Sequence, residues 1–334
     1  MIFKNSDGSE TNISFSPFKK EDFTSFKSCI EDFYGGGYPY KEYLDAGFLE
    51  EKCRLGQMIV LCGKKESGEV ISTSAVRFDS DFKESGLLLL RVVRSTYQKR
   101  GIASAQEEEL FRLIKNRNGL CSLYADVMTH NDASQKSLIR RGFVICGIRL
   151  MLYDANIMAP GLNLPEQSRL SQAVMCRREN FSSAEIFCPH EHSGIVQKIY
   201  RGLGVKCLVN TDFSLPHKKK TSSSLAEEAG HKSLIWKIDA IGEDFPDILA
   251  SVLAAAGEDK VILCYLNIKS PAAVYAYEKM QREGFFFAGL KPLQSDCEYM
   301  LLSFIGERNI DTNNICLHES GEELFTYIKT HRLL

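Results

Sequence analysis

The chain has 334 residues, enough for two domains of ordinary size. Its 44% apolar and 25% charged residues are those of a soluble globular protein, no run of about 18 apolar residues could span a membrane, and a formal charge of −2 with interspersed signs excludes a broad nucleic-acid footprint. Eleven scattered cysteines fit reduced thiols, and Met1-Ile2-Phe3-Lys4 lacks the apolar stretch of a secretory signal, so a cytoplasmic location is expected.

In chain order, Ile13 to Phe33 reads as a strand followed by a helix, and Tyr34-Gly35-Gly36-Gly37-Tyr38-Pro39-Tyr40 breaks all periodicity as a loop. Met58–Cys62 and Val70–Phe78 are strand-like runs, and Ser67-Gly68 between them suits a hairpin turn. Gly86–Val93 is a nearly all-apolar strand. Gly101 then opens a helix in which Ala103, Leu110 and Ile114 recur at helical spacing. Cys121, Leu123, Ala125 and Val127 alternate with polar residues as a half-buried strand. Asn131 and Asp132 offer caps to a helix that ends at Gly142, and Phe143–Leu152 returns as a strand.

Asp154–Glu166, with Pro160, Gly161 and Pro165, is the expected linker, which places one domain at residues 1–158 and a second at 159–334. In the second, Ala184–Cys188, Ser233–Ala240 and Val261–Leu266 read as strands. His190–Gly202 and Pro246–Ala256 read as helices, and a further helix runs from Ser270-Pro271 to Gly284. Its Gly284-Phe285 ending matches Gly142-Phe143, so the strand, helix, Gly-Phe, strand order of Cys121–Leu152 recurs as in a diverged duplication. Lys218-Lys219-Lys220 is expected in a solvated loop. Cys188-Pro189-His190-Glu191-His192 holds metal-ligand residue types, but no Cys-x-x-Cys pair accompanies it, so no metal is expected.

The chemistry concentrates between Val93 and Ala103. A flexible turn between a strand and a helix start points free N–H groups outward, and these with the helix dipole make an anion site; Gly101 and Ala103 admit a pyrophosphate, and Lys99 and Arg100 add charge. A second segment, His130-Asn131-Asp132-Ala133-Ser134 through Gly142-Phe143, follows the next strand. Together these resemble the GNAT acetyltransferase superfamily: Gln98-Lys99-Arg100-Gly101-Ile102-Ala103 is similar to its Q/R-x-x-G-x-G/A pyrophosphate loop, and Asn131–Phe143 to its N-x-x-S…G-F segment.

The resemblance implies an α/β (α+β) fold with a mixed, mostly antiparallel sheet flanked by helices, followed by a second, degenerate GNAT-like domain. It implies that the strand ending at Val93 splays from Cys121–Met128, and that the exposed backbone of Arg91, Val92 and Val93 pairs with pantetheine. The amides of Lys99, Arg100, Gly101, Ile102, Ala103 and Ser104 would hold the pyrophosphate beside Gln98. An amide near Val93 would polarise the thioester, Asn131 would bond the pantetheine arm and Ser134 would lie near the sulfur. Where many relatives carry an acidic tyrosine this chain has Ser137, so Ser134 is the candidate acid, equally readable as a helix-start hydroxyl. Asp126, Tyr124 and His130 are open candidates for the proton acceptor, and Tyr34, Tyr38 and Tyr40 fall in the substrate region.

Acetyl-CoA or another acyl-CoA is thus the expected donor, and a small-molecule or protein amine the acceptor, with neither nucleic acid nor membrane as partner. A homodimer or protein partner through the second domain stays open. A non-catalytic acyl-CoA-binding regulatory or interaction protein is the rival reading. The second half has no matching loop: Ile241-Gly242-Glu243-Asp244 stands there, and two acids would repel a pyrophosphate.

Overall fold

The computed structural model describes residues 1–4, 10–35, 38, 40–78, 84–115, 117, 119–155, 164, 165, 168–180, 183–228, 231–292, 297–310 and 312–332. Gly36, Gly37 and Pro39 of the glycine loop, and most of the expected linker, lie outside the described residues. The chain divides into two compact units, one of Met1–Leu120 and one of Cys121–Ile157 with Leu164–Leu334. Both are mixed α/β with mostly antiparallel strands, the fold class read from the sequence.

The first unit is a meander of β1 (Ile2–Lys4), β2 (Glu10–Pro17), β3 (Met58–Lys65), β4 (Val70–Phe78) and β5 (Ser85–Val93), each strand antiparallel to the one before. The β3–β4 hairpin closes where expected, through Lys65 N–H to Glu69 O and Gly68 N–H to Lys65 O, both 3.0 Å. Helix α1 (Phe23–Tyr34) follows β2. Next comes α2 (Ala46–Arg54), started by Asp45, whose carboxylate accepts from the Phe48 N–H at 2.7 Å. Both helices bury Phe26, Cys29, Ile30 and Leu49 against Val60, Cys62, Val70, Leu90 and Val92. Helix α3 (Ile102–Ile114) places Ile102 with Ile13, Ile71 and Val93. Val70 and Val92 point one way while Ile71 and Val93 point the other, as alternation along a strand requires, so the helices cover opposite faces.

The second unit contains β6 (Ser122–Met128), α4 (Ala133–Ile139), β7 (Val144–Asp154), β8 (Arg169–Arg178), β9 (Ser183–Phe187), α5 (Ser193–Gly202), β10 (Lys206–Asn210), β11 (Ser222–Glu228) and β12 (Ser233–Ala240). It continues with α6 (Phe245–Ala256), β13 (Val261–Asn267), α7 (Ala272–Arg282), β14 (Phe286–Pro292), β15 (Glu298–Phe304) and α8 (Glu319–Arg332). Its strands lie in the order β6-β8-β7-β14-β15-β13-β12-β11, with β9 and β10 forming a separate parallel pair. Strand β8, which follows the expected linker, is inserted between β6 and β7 and is antiparallel to both.

The order β6-β8-β7 is mirrored by β13-β15-β14, and the two sets meet where Gly147 of β7 pairs with Gly289 of β14. A Cβ on Gly289 would sit 2.3 Å from the Gly147 Cα, and one on Gly147 would sit 2.5 Å from Leu301 Cδ1. Only glycine permits that approach. These glycines stand five residues after Gly142 and Gly284, so the recurrence of strand, helix, Gly-Phe and strand is present in three dimensions.

Candidate active site

Strand β5 is interrupted one residue short of Arg91. Thr73 faces Val92 and Ala75 faces Leu89, so Leu90 and Arg91 together oppose Ser74, and Leu90 takes a φ of +54°. The Thr73 hydroxyl donates to the Leu90 carbonyl at 2.7 Å and holds this bulge. Beyond it, Val92 and Val93 resume pairing with Thr73 and Ser72.

The turn Arg94–Gly101 is bolted down before it reaches the helix. The Arg94 N–H donates to Ile71 O at 2.9 Å, and its guanidinium donates to Val70 O at 3.0 Å and to the Ser28 hydroxyl at 3.1 Å. The Ser95 N–H donates to the Asp32 carboxylate at 2.8 Å, so α1 anchors the loop at two points. Sequence reading missed Thr73, Ser28 and Asp32 because they lie far from the motif and act only through contacts across the fold. Gln98 sends its side-chain amide back to Val93 O at 3.1 Å, a loop-closing bond.

Two residues of this turn are left-handed, Lys99 at φ +61° and Gly101 at φ +81°. Lysine rarely adopts that conformation, and the strain sits where the motif predicts a function. The first backbone bond at the start of α3 runs from Ala105 N–H to Gly101 O at 3.0 Å. The Ile102 and Ala103 amides therefore have no intrahelical acceptor, and they carry the positive end of the helix dipole. A Cβ on Gly101 would meet nothing within 4 Å, so the backbone there is open to approach. These features fit a pyrophosphate. The Arg100 guanidinium bonds Thr96 O and lies 5.0 Å from the Tyr97 ring, which leaves its charge beside the turn.

Arg91 keeps its guanidinium on Glu107 of α3 at 2.9 Å, with the carboxylate side chain only 4% exposed. Its side chain therefore fastens strand to helix, and any contribution to a ligand would come from its backbone. Tyr34, Tyr38 and Tyr40 form a row with ring centres 4.8 and 5.9 Å apart, continued by Tyr43 at 6.3 Å. Tyr38 is buried in the α1–α2 core and the other two are half-buried. Burial pushes the Tyr34 hydroxyl up to about 12 and that of Tyr38 higher still, so both are neutral near pH 7.

In the second unit, Asn131 and Ser134 are exposed at the start of α4. The Asn131 side chain accepts from the Ala133 N–H at 3.3 Å in a local turn, while Asp132, which stands at the cap position of α4, makes no side-chain capping bond. Asp126 is held by Arg149 at 2.8 Å, and Arg149 also donates to Gln172 at 3.0 Å. The other carboxylate oxygen of Asp126, Oδ1, is buried without a hydrogen-bond partner. His130 has a buried Nδ1 without a hydrogen-bond partner, and burial pushes its pKa down, so its ring is neutral near pH 7.

The second half treats the corresponding turn differently. Strand β12 pairs with β13 in parallel without a break, from Ser233–Val261 to Ile238–Leu266. The turn Ile241–Asp244 is closed by the chain itself: Glu243 N–H donates to Lys218 O at 2.8 Å, Gly242 N–H to the Thr221 hydroxyl at 3.0 Å, and Thr221 N–H to Asp244 at 2.7 Å. Among the described residues no group of three or more His, Cys, Asp or Glu could hold a metal ion. Both ring nitrogens of His192 are engaged, by the hydroxyls of Tyr277 and Tyr327 at 2.5 and 2.8 Å.

Residues 24–143 match the model of the Acetyltransferase (GNAT) family, a span that takes in the turn and the Asn131–Phe143 segment alike. That stretch is a GNAT domain. Solved structures similar to the chain include an acetyltransferase of the GNAT family from Streptococcus pneumoniae, 17% identical with a TM-score of 0.41, which covers 50% of this chain and 99% of that one. Ribosomal-protein-S5-alanine acetyltransferase from Vibrio fischeri is 14% identical with a TM-score of 0.41, covering 50% and 93%. A putative acetyltransferase from Salmonella typhimurium, solved with acetyl-CoA, is 16% identical with a TM-score of 0.41, covering 52% and 98%. No curated protein matches the chain in sequence. No helix among the described residues is long and apolar enough to cross a membrane.

Proposed function

We propose that the chain is an N-acyltransferase that moves an acetyl or other short acyl group from acyl-CoA to a primary amine. The observation that carries this reading is the turn Gln98–Ala103 of the GNAT domain, with left-handed Lys99 and Gly101, open backbone at Gly101 and Ile102 and Ala103 amides that lack intrahelical acceptors. In this reading the amides from Lys99 to Ser104 hold the donor's pyrophosphate, Asn131 holds its pantetheine arm and the backbone of Arg91–Val93 lines it. The amine nitrogen attacks the thioester carbonyl carbon, the C–S bond breaks, and the sulfur leaves as thiolate. Ser134 delivers a proton to that sulfur, directly or through water, while the nitrogen loses one to an acceptor. We assign the acceptor role to His130, neutral and without a partner at Nδ1, or to Asp126, whose Oδ2 is engaged by Arg149 and whose Oδ1 is unpartnered. Tyr34, Tyr38 and Tyr40 are assigned to the wall facing the amine, which is a small molecule or a protein.

We assign the acyl transfer to the first half, residues 1–158 in the sequence-based division, and read the second, 159–334, as a duplicated GNAT-like domain that has lost the donor site. The mirrored strand order and the self-closed Ile241–Asp244 turn support this. The test is calorimetric titration of the full chain with acetyl-CoA and free CoA, followed by thiol release across a panel of amines. Micromolar binding with release on one amine class supports the enzyme. Binding without transfer on any amine replaces it by a non-catalytic acyl-CoA-binding regulatory protein, and no binding overturns the reading.

A further inference from the structure

The turn His130–Ser134 is a weak element taken alone, because Asn131, Ala133 and Ser134 are exposed and α4 spans only Ala133–Ile139. Its conformation is set from a distant part of the chain. The Cys316 N–H donates to Thr129 O at 2.6 Å, at the exit of β6. Gln135, fully buried, gives one side-chain N–H to Cys316 O at 2.9 Å and another to Asn131 O at 3.2 Å, and its Oε1 accepts from the His318 N–H at 3.0 Å. One amide thus links the backbone of Asn131 to two successive points of the segment Asn314–His318. That segment runs straight into α8, where Gly321 packs on Ile145 of β7, so the far end of the link is also fixed.

We propose that Asn314–His318 is a brace that fixes the Asn131–Ser134 turn, and that Gln135 is a positioning residue for acyl-donor binding. This gives the second half a task in the first, and its second part rests on the reading of Asn131 as a donor-binding residue. Glutamine suits the position because both carbonyls need donors while the His318 N–H needs an acceptor. Glutamate would keep the last bond and turn the first two into repulsions.

The experiment compares the full chain with Gln135→Met, which preserves bulk without hydrogen bonds, and with Gln135→Glu. Hydrogen exchange reads the brace independently of any ligand, and calorimetry with acetyl-CoA reads the positioning. Both variants should exchange faster at residues 129–135 and 314–318 while β3 and β4 keep their protection, and Gln135→Met should weaken acetyl-CoA at least about fivefold, as loss of ordering in the turn implies. If one variant fails to fold, the other carries both measurements. Unchanged exchange overturns the brace. Faster exchange with undiminished affinity overturns the positioning role, and a wild-type chain that ignores acetyl-CoA overturns the donor reading and that role with it, leaving the brace to be judged by exchange.

Discussion

Replacing Gly101 by alanine and by glutamate separates the backbone demands of the turn from its charge demands. At φ +81° an L-residue is strained, and a Cβ would meet nothing within 4 Å, so no packing penalty adds to the strain. The left-handed conformation costs roughly 1–2 kcal/mol, and the stiffer unfolded chain returns about 0.4–1 kcal/mol. Both variants should therefore lose about 1 kcal/mol of stability, measured by urea denaturation. Their affinities for acetyl-CoA should differ by much more. Two like charges about 5 Å apart repel by about 3 kcal/mol at an effective dielectric of about 20, which corresponds to roughly 200-fold in affinity. Rotation of the glutamate into solvent reduces this to about tenfold at the lower bound, and added salt shrinks the gap further. Calorimetric titration at two ionic strengths measures it. Equal affinities of Gly101→Ala and Gly101→Glu, or a gap indifferent to salt, would refute the placement of a pyrophosphate at this turn.

Ser134→Ala should lower turnover while leaving acetyl-CoA affinity intact if the hydroxyl serves the leaving sulfur; an equal loss in both, with a lower melting temperature, would mark it as a cap. Gly289→Ala should cost more than about 3 kcal/mol in urea denaturation, because its Cβ would sit 2.3 Å from the Gly147 Cα at a φ of +118°. His192 has its pKa held down to about 3 by burial and by His331. With the folded value depressed, the unfolded chain takes up the proton first, so stability present at pH 7 drains as pH falls below about 6.5, by about 2 kcal/mol at pH 5. Urea midpoints of the wild type and His192→Phe at both pH values check this; a wild-type slope no steeper than the variant's would contradict it.

The parts of the molecule legible in sequence are those fixed by local rules. The Ser67-Gly68 hairpin, the start of α3 at Gly101 and the Gly142-Phe143 and Gly284-Phe285 transitions all emerge where turn chemistry and apolar spacing place them. Strand β8 was not legible, although Arg169–Arg178 is mostly apolar in its middle, because its partners β6 and β7 both precede it and nothing in a linear pattern states which strands a later one will separate. The exposed β11, Ser222–Glu228, lacks alternation altogether and forms by pairing along β12. In the site, Gln98, Gly101 and Asn131 announce themselves by motif. The ion pair on Asp126 and the link from Gln135 to Cys316 depend on residues 23 and 181 positions away, beyond the reach of any local rule.

The turns after β5 and β12 differ in what becomes of their backbone donors. Arg94–Gly101 is twice as long as Ile241–Asp244, and that extra length lets Lys99 and Gly101 turn left-handed and leave donors at the helix start. The shorter turn has no such reach. Instead Asp244 accepts from the Thr221 N–H, and Lys218 and Thr221 take up the Glu243 and Gly242 amides, so these two donors of the turn already have acceptors within the chain. A buried or half-buried amide left without an acceptor costs about 1–3 kcal/mol, so self-closure spares the turn that penalty without any ligand. Strands β12 and β13 pair in unbroken register from Ser233–Val261 to Ile238–Leu266, which fixes the sheet up to two residues before the end of β12. What the second half demonstrably touches in the first is the Thr129–Gln135 turn, through Cys316 and His318.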